Sequence, residues 1–247
     1  MTAAATLPGA AAYLAGIADR IAALTATQGE AIGAAAAACV ETIRRDGLIY
    51  IFGTGHSHLM AEEGHFRAGG LACVVPILAS SVMLHEGAVV SGALERMSGL
   101  AAPLLSRYPI GPDDTLFVFS NSGVNAVPVE AARHGREKGA RVVAVTSIAY
   151  SRAAAAGRPT LAETAEIAID NQGPPGDASV TAADGLIVGP ISTVLGAAIW
   201  NAVLSETVAR LVRSGEVPPA YISANMPGAK ERNAALVERY RARNPHL

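Results

Sequence analysis

The sequence predicts an α/β fold: a three-layer α/β/α sandwich on a five-stranded parallel sheet, with further helices N-terminal to it. Three observations lead there. Five short apolar runs, at 48–52, 72–78, 116–119, 141–147 and 166–170, are nearly continuous in place of alternating, as strands buried on both faces should be. Segments of helical composition mostly separate these runs. Several runs open directly into loops of glycine, hydroxyl and amide residues followed by a helix. At 247 residues with 51% hydrophobic content the chain can bury a large core, and one domain is expected: a helical segment over 1–46, a core over 47–214 and a tail over 215–247.

The charge balance narrows the function. Lys and Arg number 19 against 21 Asp and Glu, a net charge of −2 with no basic run, which argues against nucleic acid or an anionic membrane as partner. Any anionic ligand must be held by local donors. No window reaches the ~20 apolar residues of a membrane-spanning helix, and no basic segment precedes an apolar stretch at the N-terminus. Cys39 and Cys73 stand in no metal-binding spacing. A soluble, cytoplasmic protein is expected.

The elements follow in order. Residues 10–45 are rich in alanine, with Leu14, Ile17, Ile21 and Leu24, then Ile32, Cys39, Val40 and Ile43, at helical intervals on either side of Gly29. This predicts two helices or one interrupted near Gly29, ended by Asp46-Gly47. The first strand, 48–52, runs into Gly53-Thr54-Gly55-His56-Ser57-His58. A Gly-x-Gly here resembles a dinucleotide fingerprint, yet His58 stands at the third glycine position and no acidic residue follows in 71–78, so a nicotinamide cofactor is not expected. A helix capped by Ser57 is expected to reach Arg67, placing His58, Glu62 and His65 on one face. That face would suit proton transfer or metal binding if it looked into a cleft, and is a polar solvent face otherwise. After the strand at 72–78, His85 and Glu86 lie just past a carboxyl end, where open parallel sheets place their ligand crevice.

Residues 88–111 read as helical, closed by Pro109, Gly111 and Pro112. The central strand, 116–119, then opens into Ser120-Asn121-Ser122-Gly123-Val124-Asn125 and a helix from Ala126 to Lys138. Ser120, Asn121, Ser122 and Asn125 supply short donors, Gly123 admits close backbone approach, and the helix N-terminus favours negative charge. Phosphate fits that combination; the plain alternative is that Ser122 or Asn125 simply caps the helix. Beyond the strands at 141–147 and 166–170, Gly173-Pro174-Pro175-Gly176-Asp177 forms a turn. A long apolar helix is expected from Pro190 to about Arg213, and a short charged one from Lys230 to Arg243.

This layout resembles the SIS (sugar isomerase) domain of phosphosugar isomerases and phosphosugar-binding proteins. Four motifs carry the likeness: Gly53-Thr54-Gly55-His56-Ser57, Ser120-Asn121-Ser122-Gly123-Val124-Asn125, Thr146-Ser147, and Gly189-Pro190-Ile191-Ser192-Thr193. It spans roughly residues 10–214. By resemblance the sugar phosphate is cradled by Ser120, Asn121, Ser122 and Asn125, with Gly55 and Ser57 from the first loop and Ser192 and Thr193 from the last helix. Asn125 replaces the family's usual hydroxyl and still donates. Within the family the chain is most similar to a bacterial branch, through Thr146 to Ser151, Gly176-Asp177-Ala178 and Ile222-Ser223-Ala224-Asn225. It departs from that branch at Ala155 to Pro159 and Pro227 to Asn233, where ligand-contacting side chains would be expected.

The resemblance implies an isomerase that interconverts an aldose phosphate and a ketose phosphate through a cis-enediol. One base, with a pKa near working pH, must shuttle a proton between C1 and C2. Glu62, Glu63 and Glu86 are the candidates, with Glu86 chosen as base and His65 and His85 as ring-opening or polarising groups. His65-Phe66 echoes a pair in heptose-phosphate isomerases, and His85-Glu86-Gly87 a segment of arabinose 5-phosphate isomerases. Two rival readings are a sugar-phosphate sensor without turnover and a lyase or etherase acting on a phosphorylated amino sugar. No cofactor or metal is assigned. A homodimer or tetramer is expected, because SIS sites are commonly completed by a neighbour.

Overall fold

The computed structural model describes residues 8–182 and 184–247, so residues 1–7 of the expected N-terminal segment lie outside the described residues. The strands are β1 (Ile49–Gly53), β2 (Val74–Pro76), β3 (Thr115–Phe119), β4 (Arg141–Thr146) and β5 (Ile167–Asp170), with a separate pair, β6 (Ala178–Thr181) and β7 (Ile187–Pro190). The helices are α1 (Pro8–Thr27), α2 (Gly29–Arg44), α3 (Leu59–Gly64), α4 (Ala88–Leu94), α5 (Ala101–Leu105), α6 (Ala126–Glu137), α7 (Ile148–Ala155), α8 (Leu161–Thr164), α9 (Ser192–Arg213) and α10 (Ala229–Tyr240). The first five strands form one parallel sheet in the order β2-β1-β3-β4-β5. Every residue of β1 and β3 is buried, which is why both read as unbroken apolar runs.

Helices α2, α3 and α9 cover one face of the sheet, with α1 packed outside α2 and α9, while α6 with α5 and α8 covers the other. The expected three layers are present. Trp200 of α9 seats the first layer, its ring meeting Phe117 of β3 edge-on at 5.3 Å between centroids, and Phe117 stacks on Phe119 at 6.4 Å. Gly64 closes α3 onto the same spot: a Cβ there would stand 2.5 Å from Ile51 Cδ1 and 3.3 Å from the Trp200 indole. Free Cys39 on α2 and Cys73 beside β2 are both buried, and burial pushes both thiols up, Cys73 to about 12.

Three elements differ from expectation. The helix expected to reach Arg67 ends at Gly64, and His65 is already extended (φ −90°, ψ 136°). The chain is drawn off by backbone pairing elsewhere: the amides of Gly69 and Ala72 donate to Tyr221 and Pro219 carbonyls, and Tyr221 donates back to Gly70. The strand expected over 72–78 is regular only over Val74–Pro76, although the amide of Ile77 still donates to Ile51. The long helix starts at Ser192, two residues late, because Gly189-Pro190 ends the antiparallel β6–β7 pair.

The C-terminal segment covers the β2 edge. Asn244 donates to the Val74 carbonyl (3.2 Å), Tyr108 accepts from the Leu78 amide (3.1 Å) and meets His246 Nε2 (2.9 Å), and His65 Nε2 lies 3.4 Å from the His246 carbonyl. Burial lowers the pKa of both His65 and His246, and the neighbouring Arg107 and His65 lower that of His246 further; burial lowers His134 as well. The unfolded chain therefore binds more protons than the folded one, and stability falls as pH drops below about 6.5. The melting temperature should be lower at pH 5.5 than at pH 7.5, with a smaller drop in His65→Asn. An equal drop in that variant would remove His65 from this account.

Candidate functional site

A parallel sheet puts the carboxyl ends of all its strands on one edge. From β1 the chain passes to β2 on one side and later to β3 on the other, so the switch point lies between β1 and β3. Two loops flank it. Gly53 turns so tightly into the first that a Cβ there would run into the Ser57 carbonyl, and Gly55 (φ +54°) starts a 3-10 turn over Gly55–His58. The second runs from Ser120 to Asn125 into α6.

Between them lies a small cleft. His56, Ser57, Ser120, Asn121, Asn171, Ser192 and Thr193 line it over a floor of Met60, Phe119, Val145 and Gly196. Of the residues expected to bind substrate, the structure thus gathers Ser57, Ser120, Asn121, Ser192 and Thr193 on one opening. Asn121 is oriented by a chain of hydrogen bonds. The Gly173 amide, which can only donate, bonds to Asn171 Oδ1 at 2.8 Å; this turns Asn171 Nδ2 toward Asn121 Oδ1 at 2.9 Å. Asn121 Nδ2 is left buried and without a partner among the described residues. Its backbone carbonyl is held by the Ser147 amide (3.0 Å) and Thr146 Oγ1 (3.3 Å). A buried donor fixed in this way calls for an acceptor that the described residues do not supply.

Gly55, Ser122 and Asn125, also expected to bind substrate, do not line this cleft, and several of the polar groups have partners of their own. Ser120 Oγ is taken by the Gly123 amide (3.2 Å), and Gly123 sits at φ +60° with its Cα against Thr146 and Ser151. Asn125 occupies the N-cap position of α6 without capping it, its Nδ2 donating instead to Glu95 Oε1 (2.8 Å). Ser57 caps no helix, and Ser192 Oγ donates to Asp177 Oδ2 (2.7 Å). Ser122 is half-buried at the middle of the loop.

On the first loop, His58 is buried, its Nδ1 against the Gly55 carbonyl and its Nε2 3.4 Å from Glu62 Oε1. The ring of exposed His85 meets it edge-on at 5.7 Å, and Glu86, also exposed, is the next residue in the chain. His65 does not join them: the early end of α3 turns it to the C-terminal segment, so the expected His58, Glu62, His65 face is not formed. Among the described residues no group of three His, Cys, Asp or Glu side chains is placed to hold a metal.

Three residues of the site escape sequence reasoning. Glu95, at the end of α4 and only 16% exposed, accepts from Thr54 Oγ1 (2.7 Å) and Asn125 Nδ2 (2.8 Å), while its carbonyl accepts from the Val127 amide. It ties the first loop to the second across the switch point. Asp177 accepts from the amides of Ile191 and Ser192 (3.2 and 2.9 Å), setting a carboxylate at the start of α9 where the helix dipole favours it. Asn171 orients Asn121. Each acts on a partner 14 to 50 residues away, and only the turn signal at Gly176-Asp177 marked any of them.

Comparison with known proteins agrees with this fold. The family model for the SIS domain (SIS_2) matches residues 12–147. The UPF0309 proteins of Brucella canis and Brucella ovis are each 53% identical over 96% of this chain and 95% of theirs. Among solved structures, phosphoheptose isomerase GmhA from Neisseria gonorrhoeae superposes with a TM-score of 0.56 at 16% identity, covering 81% of this chain and 97% of its own. A phosphoheptose isomerase from Francisella tularensis does so at 0.56 and 14%, covering 83% and 98%. At these identities the two structures speak for the fold.

Removing the Glu95 carboxylate leaves the Thr54 and Asn125 donors unpaired in a mostly buried place. Glu95→Ala should cost about 1–3 kcal/mol in denaturant unfolding. An unchanged midpoint would mean that the two loops hold together without it.

Proposed function

The chain belongs to the SIS-domain family, within the UPF0309 group, and on that footing we propose that it is a phosphosugar isomerase that interconverts an aldose phosphate and a ketose phosphate. One observation carries the reading. A single turn, Gly55–His58, presents Ser57 to the cleft that holds the unpartnered Asn121 amide and sets His58 against His85, next to Glu86. One turn thus joins a candidate anion cradle to a pair of histidines, with Glu86 next in the chain. The names of the phosphoheptose isomerases that share the fold add weight to a phosphorylated sugar as substrate.

In this mechanism the loop from Ser120 to Asn125, with Ser57 and Thr193, holds the phosphate. Glu86 takes the proton from C2 of the open-chain aldose phosphate, the C2–H bond breaks, and the enediol forms as the C1 carbonyl is protonated. Return of the proton to C1 and loss of the O2 proton give the ketose phosphate, with no change in mass. His85 moves the proton between O1 and O2. Glu62, whose Oε1 lies 3.4 Å from His58 Nε2, helps to keep that imidazole in place. His65, turned toward the C-terminal segment, has no part in the chemistry.

Glu86 is exposed in the single chain, and a catalytic base needs closure from bulk water. A second copy supplies it in this proposal. Val89 and Val90, closely following Glu86 on α4, are 89% and 59% exposed, an apolar surface that a homodimer or tetramer would cover. Two free thiols, and no helix among the described residues long and apolar enough to cross a membrane, suit the cytoplasmic location proposed with it.

Ser122→Ala should weaken binding of the phosphosugar that raises the melting point most in a panel of four- to seven-carbon sugar phosphates, by about 1–3 kcal/mol. Unchanged binding would move the phosphate away from this loop. Solvent deuterium should enter C2 of the same sugar, and Glu86→Gln should slow that exchange by about 10²–10⁴-fold while leaving binding in place. Tight binding without exchange in the unaltered protein would favour a sensor, and a product that has lost a side group would favour a lyase.

A further inference from the structure

The far end of the phosphate loop opens on a second cavity, of about 290 Å³. Val124, Asn125 and Ala126 form one wall. Three arginines from separate parts of the chain reach it: Arg96 just after α4, Arg133 on α6 and Arg158 after α7. Against these three guanidinium groups stands the carboxylate of Glu130, both of whose oxygens accept from the Gly99 amide (3.0 and 2.9 Å). The lining therefore carries an excess of positive charge in a protein whose overall charge is slightly negative.

Two of these arginines are held or free in a way that suits a ligand. Arg158 is fixed by donating Nε and Nη2 to the Ala155 and Ala154 carbonyls at 3.0 and 2.9 Å. Among the described residues neither Arg133 nor Arg158 has a carboxylate within ion-pair distance, whereas Arg96 lies 3.3 Å from Glu95. Because Asn125 turns its side chain to Glu95, no side chain caps α6, whose first turn belongs to the cavity wall. Forked guanidinium groups without acidic partners match the planar oxygens of phosphate or carboxylate.

The two openings share one loop: Ser120 and Asn121 line the first, Val124 and Asn125 the second. We infer that the arginine-lined cavity is a second anion subsite, taking the phosphate or carboxylate at the other end of a doubly anionic sugar whose first phosphate sits on the loop. This rests on the phosphosugar reading and narrows its substrate class. The arginines then discriminate between sugars with one anionic end and sugars with two.

Calorimetric titration of glucose 6-phosphate, glucose 1,6-bisphosphate and 6-phosphogluconate at constant ionic strength tests it, in the unaltered protein, in Arg133→Gln and in Arg158→Gln. The doubly anionic probes should bind about tenfold more tightly than the monophosphate, and each substitution should remove that advantage while leaving the monophosphate unchanged. Both positions are on the surface, and an unaltered melting temperature without ligand shows that the variants fold. Equal weakening of all three probes overturns the inference, since the arginines would then serve the one phosphate; so does no weakening of any. If the monophosphate binds, loses affinity in Ser122→Ala, and is matched by the bisphosphate, the subsite alone falls. If no sugar phosphate binds, the phosphosugar reading falls and the subsite's sugar with it.

Discussion

The parallel pairing of β1 with β3 sets the geometry of the whole site. Its register runs from Ile49 opposite Thr115 to Gly53 opposite Phe119, so the two strands end level and Thr54 emerges beside Ser120. A slip of one residue would turn every side chain of a strand to the other face and put Phe117 out of reach of Trp200. The layer of α2, α3 and α9 depends on that register as well, because α9 docks through Trp200 and α3 through Gly64 on Ile51. The switch point is thus fixed by the most deeply buried part of the molecule, while the polar residues that line the cleft remain at its rim.

Around that rim the protein relies on carboxylates and amides that face inward. Glu95 holds the two loops, Asp177 holds the first turn of α9, and the Gly173 to Asn171 to Asn121 relay presents one N–H to the cleft. Donors and acceptors set before a ligand arrives lower the ordering cost of binding. The same arrangement explains why Asn125 can stand where a hydroxyl is usual: its amide reaches Glu95, and so contributes to the frame of the loop as well as to its surface.

Much of this was legible in the sequence, for a physical reason. Strands buried on both faces leave continuous apolar runs, and the polar loop after β3 is contiguous, so its side chains appear together from Ser120 to Asn125. What escaped depends on contacts between distant segments. The end of α3 at Gly64 follows from packing on Ile51 and Trp200 and from pairing of 69–72 with 219–221, none of which local periodicity encodes. Glu95, Asn171 and Asp177 have ordinary neighbours in sequence and acquire their roles only when the sheet brings their partners to them. The β6–β7 pair was hidden because Gly189-Pro190 also reads as the start of a helix.

The two enclosed thiols have a use of a different kind. Cys39 lies under α9 near Thr207, while Cys73 leads into β2, so they sample the helical layer and the sheet edge. Neither is reached by solvent in the folded chain, and both resist ionisation. Their alkylation must then wait for the surrounding structure to open, and the chain carries two intrinsic clocks of its own breathing. If they tick together, layer and edge open as one cooperative unit; if Cys73 runs ahead, the edge strand beneath the C-terminal segment frays first.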